Sequence, residues 1–322
     1  GRLAPFIEHR RADQQGMPTE PDRFTKIDLM EREASYGKAG FALQFMLDTT
    51  LSDADKYPLK LADLCVAALN PRKGWADLAW ASGPAQIVQD VPVVGFTGDK
   101  FYRPMWFSDE MYEYTGAVLA IDPSGRGKDE TAYAVVKMLN GYLYATQCGG
   151  FKGGYDDLTL TKLANLAKIE KVNMIVVESN FGDGMFSKLL APFVNKAHPV
   201  SIEEVRHNTQ KEVRIIDTLE PVMMQHRLII DEKLIKEDYE SAPEPSYSLF
   251  YQMTRLTRAR GAIIHDDRLE ALAMAVNYWT EQMDADAESL AAQQKMDDFN
   301  GEIQRFLSQA TGSTVKDGDK WF

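Results

Sequence analysis

The chain has 322 residues, with 36 Lys and Arg against 48 Asp and Glu, for a net charge of −12. Residues 1–115, 116–282 and 283–322 each carry four more acids than bases, which excludes a protein that coats nucleic acid by bulk charge. No apolar run approaches the ~18 residues of a membrane span, and Cys65 and Cys148 lack metal-ligand spacing, the pattern of reduced, buried thiols in a cytosolic protein.

Gly1 is not an initiator Met, which is expected of a fragment or a processed product. Residues 33–46 have helical apolar spacing, weakened by Gly37 and Gly40. Pro58, Pro71, Pro84, Pro92 and Pro104, with Trp75, Trp80 and Trp106 among them, predict a loop-rich segment of short strands packed on another element. Regular patterning begins at residue 116. Residues 116–122 read as a buried strand and 131–139 as a second. Asn140-Gly141 is a hairpin turn signal, because both positions tolerate positive φ. A third strand follows over 142–148. Asp156 or Asp157 then caps a helix with Leu160, Leu163, Leu166, Ala167 and Ile169 on its apolar positions. The remaining expectations are a strand at 173–178, a helix at 184–196, a strand at 201–206, a helix at 211–226 and a strand at 227–230. Residues 247–256 read as helical, 259–265 as extended and 267–282 as a long helix. Three antiparallel strands followed by alternating helices and strands make a mixed α/β sheet flanked by helices. Residues 283–322 read as an acidic, flexible tail ending in Trp321-Phe322.

Three acidic positions stand where predicted elements end or begin. Asp122 closes the apolar run from Ala117, Glu178 closes the run from Met174, and Asp266-Asp267 follow Ile263-Ile264-His265 and open the last helix. Each alone is an ordinary cap or strand-end residue. Three such ends meeting would repel one another by several kcal/mol unless a cation lay between them, and carboxylates with water are the ligands that Mg²⁺ and Mn²⁺ prefer. Glu270 lies three residues after Asp267, on the same helix face; His265 is either an orienting partner or a plain strand-end histidine. Gly125-Arg126-Gly127-Lys128 suggests a phosphate loop, but that pattern requires Gly at 122 and Ser or Thr at 129, where Asp122 and Asp129 stand. The stretch is then a flexible turn, or a loop whose Lys128 or Arg126 reaches a phosphate. Arg206, Lys211, Arg214, Arg255, Arg258 and Arg260 cluster near the acidic motifs and are candidate contacts to a DNA backbone, with solvated element faces as the alternative.

The order strand-Asp, hairpin, helix, strand-Glu and a final helix entered by Asp resembles the ribonuclease H-like plan. Leu119-Ala120-Ile121-Asp122-Pro123-Ser124, Val176-Val177-Glu178-Ser179-Asn180-Phe181-Gly182 and His265-Asp266-Asp267-Arg268-Leu269-Glu270-Ala271-Leu272-Ala273 resemble the C-terminal nuclease of phage large terminase subunits, in particular those of short-tailed coliphages. The resemblance covers essentially the whole chain. It implies catalytic metal ligation by Asp122, Glu178 and Asp267, with Asp266 or Glu270 in support, and two Mg²⁺ or Mn²⁺ ions. It implies cleavage of concatemeric double-stranded DNA during genome packaging in the host cytoplasm, with the portal or prohead and the small terminase subunit as partners. Residues 1–115 would be the end of the packaging ATPase and its linker, 116–282 the nuclease and 283–322 the tail. With no Walker A pattern, ATP is not expected to bind productively. A Holliday-junction resolvase or integrase, and a portal-docking module, are the rival readings.

Overall fold

A computed structural model describes residues 56–96, 98–124, 129–179, 184–285 and 296. The expected helix at 33–46, Lys128 and the Trp321-Phe322 end lie outside these residues. The chain divides into two compact units, Gly1–Ala275 and Val276–Phe322.

The first stretch supplies β1 (Cys65–Ala67) and two small antiparallel ribbons. One pairs β2 (Lys73–Trp75) with β5 (Met111–Glu113), the other β3 (Leu78–Ala79) with β4 (Trp106–Phe107). The main strands follow: β6 (Gly116–Asp122), β7 (Thr131–Leu139), β8 (Tyr142–Phe151), β9 (Met174–Glu178), β10 (Ser201–Val205) and β11 (Leu228–Asp231). They form a seven-stranded sheet in the order β1-β11-β8-β7-β6-β9-β10. β6, β7 and β8 are antiparallel neighbours, and the flanking strands add in parallel. Asn140 and Gly141 turn the β7–β8 hairpin at φ 52° and 80°, as a two-residue turn with both centres left-handed requires.

Helices α1 (Asp157–Glu170), α2 (Met185–Ala197), α3 (Lys211–Met224), α4 (Glu232–Ser241) and α5 (Leu249–Arg255) pack around the sheet. A sixth, α6, covers residues 267–285. Asp156 is the α1 cap, its carboxylate accepting the Thr159 N–H at 2.6 Å. α1 and α2 cover one face of the sheet. Leu160, Leu163, Leu190 and Val194 there meet Leu119, Ile121, Ile175 and Val177. Side chains alternate along a strand, so Asp122 and Glu178, one residue beyond Ile121 and Val177, turn to the opposite face.

One expectation needs amendment, and two elements were not foreseen. Residues 259–264 form bends and a turn, with Gly261 at φ 65° and Ile264 89% exposed, so an apolar triplet that imitates a strand has no ladder to join. The helix α4 carries only Leu234, Ile235 and Asp238 inward in an otherwise charged sequence, too sparse a stripe to be read in advance. Cys65–Ala67 belongs to the main sheet, paired in parallel with β11, and three residues carry no legible period.

Candidate metal centre

Ile121 pairs with Val177 in the parallel β6–β9 ladder, so the next residue on each strand is an acid. Neighbouring strands run about 4.8 Å apart, and the Asp122 and Glu178 carboxyls share a hydrogen bond. Two carboxyls can do so only with a proton between them. Burial, opposed by Lys211 and reinforced by Glu178, raises Asp122 well above the ordinary carboxylate range. Burial and the Glu270 charge raise Glu178.

The start of α6 brings the other acids. The Asp266 carbonyl accepts the Glu270 N–H at 2.8 Å, which places Asp266 at the helix entry and Asp267 and Glu270 on one face. Glu270 is fully buried, and its Oε2 has no hydrogen-bond partner. Burial pushes it up to about 7 against the pull of Lys211 and Arg214. Asp267 is pushed up to about 7 by burial and then by Asp122, and among the described residues its carboxylate forms no side-chain hydrogen bond or salt bridge.

Two cations from the first turn of α3 sit among these acids. Lys211 Nζ lies 2.8 Å from Asp266 Oδ1 and 3.5 Å from Asp122 Oδ2. Although burial works against its charge, Asp122, Glu270 and Asp266 together raise its pKa. Arg214 pairs with Glu270 and lies 3.7 Å from Glu178 Oε1. Five carboxylates against two cationic side chains leave an excess of three negative charges when all are ionised. Burial disfavours that excess and drives protons onto the carboxyls, and an all-oxygen set of this kind fits a hard divalent cation. The raised carboxyls and the unsatisfied Glu270 oxygen fit a divalent cation.

The other basic residues divide. Arg206 is exposed and donates through Nε to Ser179 Oγ at 3.3 Å, beside Glu178. Arg260 is exposed near Glu212 on α3. Arg258 bridges to Asp217 and Glu220 on α3 at 2.7 and 3.1 Å. Arg255 stacks on Tyr251 and donates to Val94 O at 2.9 Å, so its guanidinium anchors the 94–95 segment. Lys211 and Arg214, expected on a DNA-facing surface, lie inside the acid group.

Sequence reading passed over Arg268, which is fully buried and joins Glu130 at 3.0 Å and Asp238 at 2.8 Å. It also passed over Asp129, which lies with His265 and Asp267 in a group whose ligand atoms are all within 4.8 Å of one another. The signal for Arg268 was its place between two site acids in an apolar helix start.

A mixed sheet of three antiparallel strands extended by parallel ones, with acids at the ends of two adjacent strands and at a helix entry, is the ribonuclease H-like fold. Residues 121–228 match the family model described as Terminase Bacteriophage T7, Ribonuclease H-like domain. The chain is 46% identical over 302 residues to the large terminase subunit of Enterobacteria phage T3, an alignment taking in 91% of this chain and 52% of that protein. The chain belongs to the large terminase subunit family, and spans about half the length of that relative. Among solved structures it resembles the human cytomegalovirus terminase nuclease domain, soaked with Mn and inhibitor-bound, with 15% identity over 52% of this chain and 84% of that one at a TM-score of 0.40. The large terminase nuclease from thermophilic phage G20c gives 11% identity over 69% of this chain and 98% of that one, at 0.39.

Proposed function

We propose that this chain carries a divalent-metal-dependent endodeoxyribonuclease that cuts concatemeric double-stranded DNA during viral genome packaging. The observation that carries the reading is the meeting of Asp122, Glu178, Asp266, Asp267 and Glu270 from three separated segments at one edge of the sheet. Asp122, Glu178 and Asp267 are the proposed ligands of Mg²⁺ or Mn²⁺, with Asp266 and Glu270 in support, and two ions are proposed, the DNA phosphate adding its charge to that of the acids. Bound there, the cations would supply the positive charge that polarises a phosphodiester and makes water acidic enough to attack it. In the reaction a water oxygen bonds to phosphorus as one P–O ester bond breaks, and the departing oxygen gains a proton.

The protein's own part is positioning. The β6–β9 ladder fixes two acids, the α6 entry fixes three, and Lys211 and Arg214 limit the repulsion that so many carboxylates would exert on a phosphate backbone. Arg206 and Arg260 are exposed near this edge and are the proposed backbone contacts, with Lys128 assigned the same role from sequence alone. Such contacts hold DNA in register without reading bases, which suits a cutter directed by other packaging components. Kinship with a large terminase subunit supports the prohead portal and the small terminase subunit as partners in the host cytoplasm. The same kinship supports reading residues 1–115 as the end of an ATPase and its linker, 116–282 as the nuclease and 283–322 as a tail, with ATP turnover outside this chain.

The test is Mn²⁺-dependent nicking of supercoiled plasmid by Asp122→Asn and Glu178→Gln, each checked for a native circular-dichroism spectrum. Nicking is expected to fall at least about tenfold, the range seen when even the outer contacts of a metal site are lost. Undiminished nicking by either folded variant rejects the assignment.

A further inference from the structure

The last turn of α1 stands between two hollows. Lys168 lines a groove of about 460 Å³ shared with α2. The next three residues, Ile169, Glu170 and Lys171, line a separate pocket of about 470 Å³ against the start of β6. Ile169, on the turn that divides the two, is 74% exposed. Both hollows are firmly walled. In the groove, Pro192, Phe193 and Ala197 of α2 stand with Ala164 of α1, and Phe193 packs on the core beneath. In the pocket, the buried Lys137 Nζ lies 2.7 Å from Glu170 and donates to the Pro71 carbonyl at 2.7 Å.

α1 leads into β9 and α2 into β10, and these strands are parallel, so both helices end at the same edge of the sheet. Gly116 and Ala117, which open β6, line the pocket. Asp122 closes that strand, about 20 Å further along at ~3.3 Å per residue. The hollows therefore lie at the edge opposite the acid group.

The chain has a net charge of −12, yet this surface is basic. Arg72, Lys168, Lys171 and Lys196 are exposed, and none forms an ion pair among the described residues. No acid lines the groove. In the pocket Glu170 is taken by Lys137, which leaves Glu113 to face Arg72 and Lys171. Unpaired cations call for an anionic partner. An exposed isoleucine between two partly apolar hollows calls for apolar side chains to cover it. A DNA backbone supplies the first without the second. An acidic amphipathic helix supplies both.

We propose that the last turn of α1, with the groove and the pocket on its two sides, docks an acidic helix of a partner protein. The apolar stripe of that helix covers Ile169 and enters the groove beside Phe193. Its carboxylates meet Lys168, Lys171 and Lys196. The surface stands independently of the nuclease reading, and a partner seated there leaves the edge at Asp122 and Glu178 open.

The experiment is fluorescence anisotropy with the 322-residue chain and three labelled probes. One is a helical peptide of about 20 residues with leucine at every third or fourth position and glutamate between. The second is the same peptide with serine for leucine, and the third is a DNA duplex of about 20 base pairs. Wild type is expected to bind the leucine peptide at least about tenfold more tightly than the serine peptide, because only the first buries apolar surface. Ile169→Ser, and Lys168→Glu with Lys196→Glu, change exposed side chains and should keep a native circular-dichroism spectrum. Each should weaken leucine-peptide binding about tenfold, through lost apolar burial or reversed rim charge, and leave duplex binding unchanged. Equal binding of the two peptides, or undiminished leucine-peptide binding by both folded variants, overturns the proposal. So does a loss confined to the duplex, which would make this a nucleic-acid surface. Plasmid nicking by the Asp122 and Glu178 variants judges the nuclease reading separately.

Discussion

Replacing Arg268 with Met tests how the α6 entry is held in place. The guanidinium is fully buried between Glu130, 3% exposed, and Asp238, which is fully buried. Asp238 keeps other donors, the Ser248 hydroxyl at 2.6 Å and the Leu249 N–H at 2.9 Å. The Glu130 carboxylate is different: both of its described hydrogen bonds come from Arg268, at 3.0 and 3.3 Å. Arg268→Met therefore strands one buried carboxylate and half-strands another. Removing one partner of a buried pair costs about 3–5 kcal/mol, a large share of the ~5–15 kcal/mol that holds a domain together. At about 2–4 °C per kcal/mol for a unit of this size, Tm should fall by roughly 6–20 °C. Urea denaturation followed by circular dichroism gives the free energy directly. Most of the cost comes from the stranded Glu130, so adding Glu130→Gln to Arg268→Met should recover a substantial part of it. A loss below about 1 kcal/mol in the single variant, or no recovery in the double, refutes the reasoning.

Asp267 and Glu270 are raised to about 7, so the folded protein holds protons that the unfolded chain has released above its ordinary carboxylate pKa near 4. Folding then takes up protons between about pH 4 and 7, and metal-free stability is lost as pH rises through that window. Thermal melts in chelator should show Tm falling towards pH 7, while stabilisation by added Mn²⁺ grows over the same range; larger Mn²⁺ stabilisation at acid pH contradicts the assignment. Arg206→Ala and Arg260→Ala should each weaken DNA binding and lower the salt slope by about one unit without changing Mn²⁺ affinity, as read by fluorescence anisotropy at several salt concentrations. An unchanged slope in both would remove them from the interface.

The strand-end acids were legible because each closed a run of buried apolar residues; the parallel register that sets Asp122 beside Glu178 was visible only in the folded sheet. The hairpin was legible from Asn140-Gly141 alone. Lys211 and Arg214 were visible only as charges; that they point into the acid group depends on how α3 crosses the end of the sheet, which no local pattern encodes. The same holds for Arg268, whose two partners lie 138 and 30 residues away. Asp129 was hidden because the loop before it read as a glycine-rich turn. Cys65 and Cys148 are free and buried as expected, and burial pushes the Cys65 thiol up to about 12. Among the described residues no helix is long and apolar enough to cross a membrane.

The most direct test of the metal-centre assignment is anomalous diffraction from a crystal of this chain soaked in Mn²⁺. The expected result is a peak within coordination distance of Asp122, Glu178 and the α6 entry, with Lys211 or Arg214 displaced from the position it now holds. Peaks only at surface carboxylates, with Lys211 still bridging Asp122 and Asp266, would contradict it.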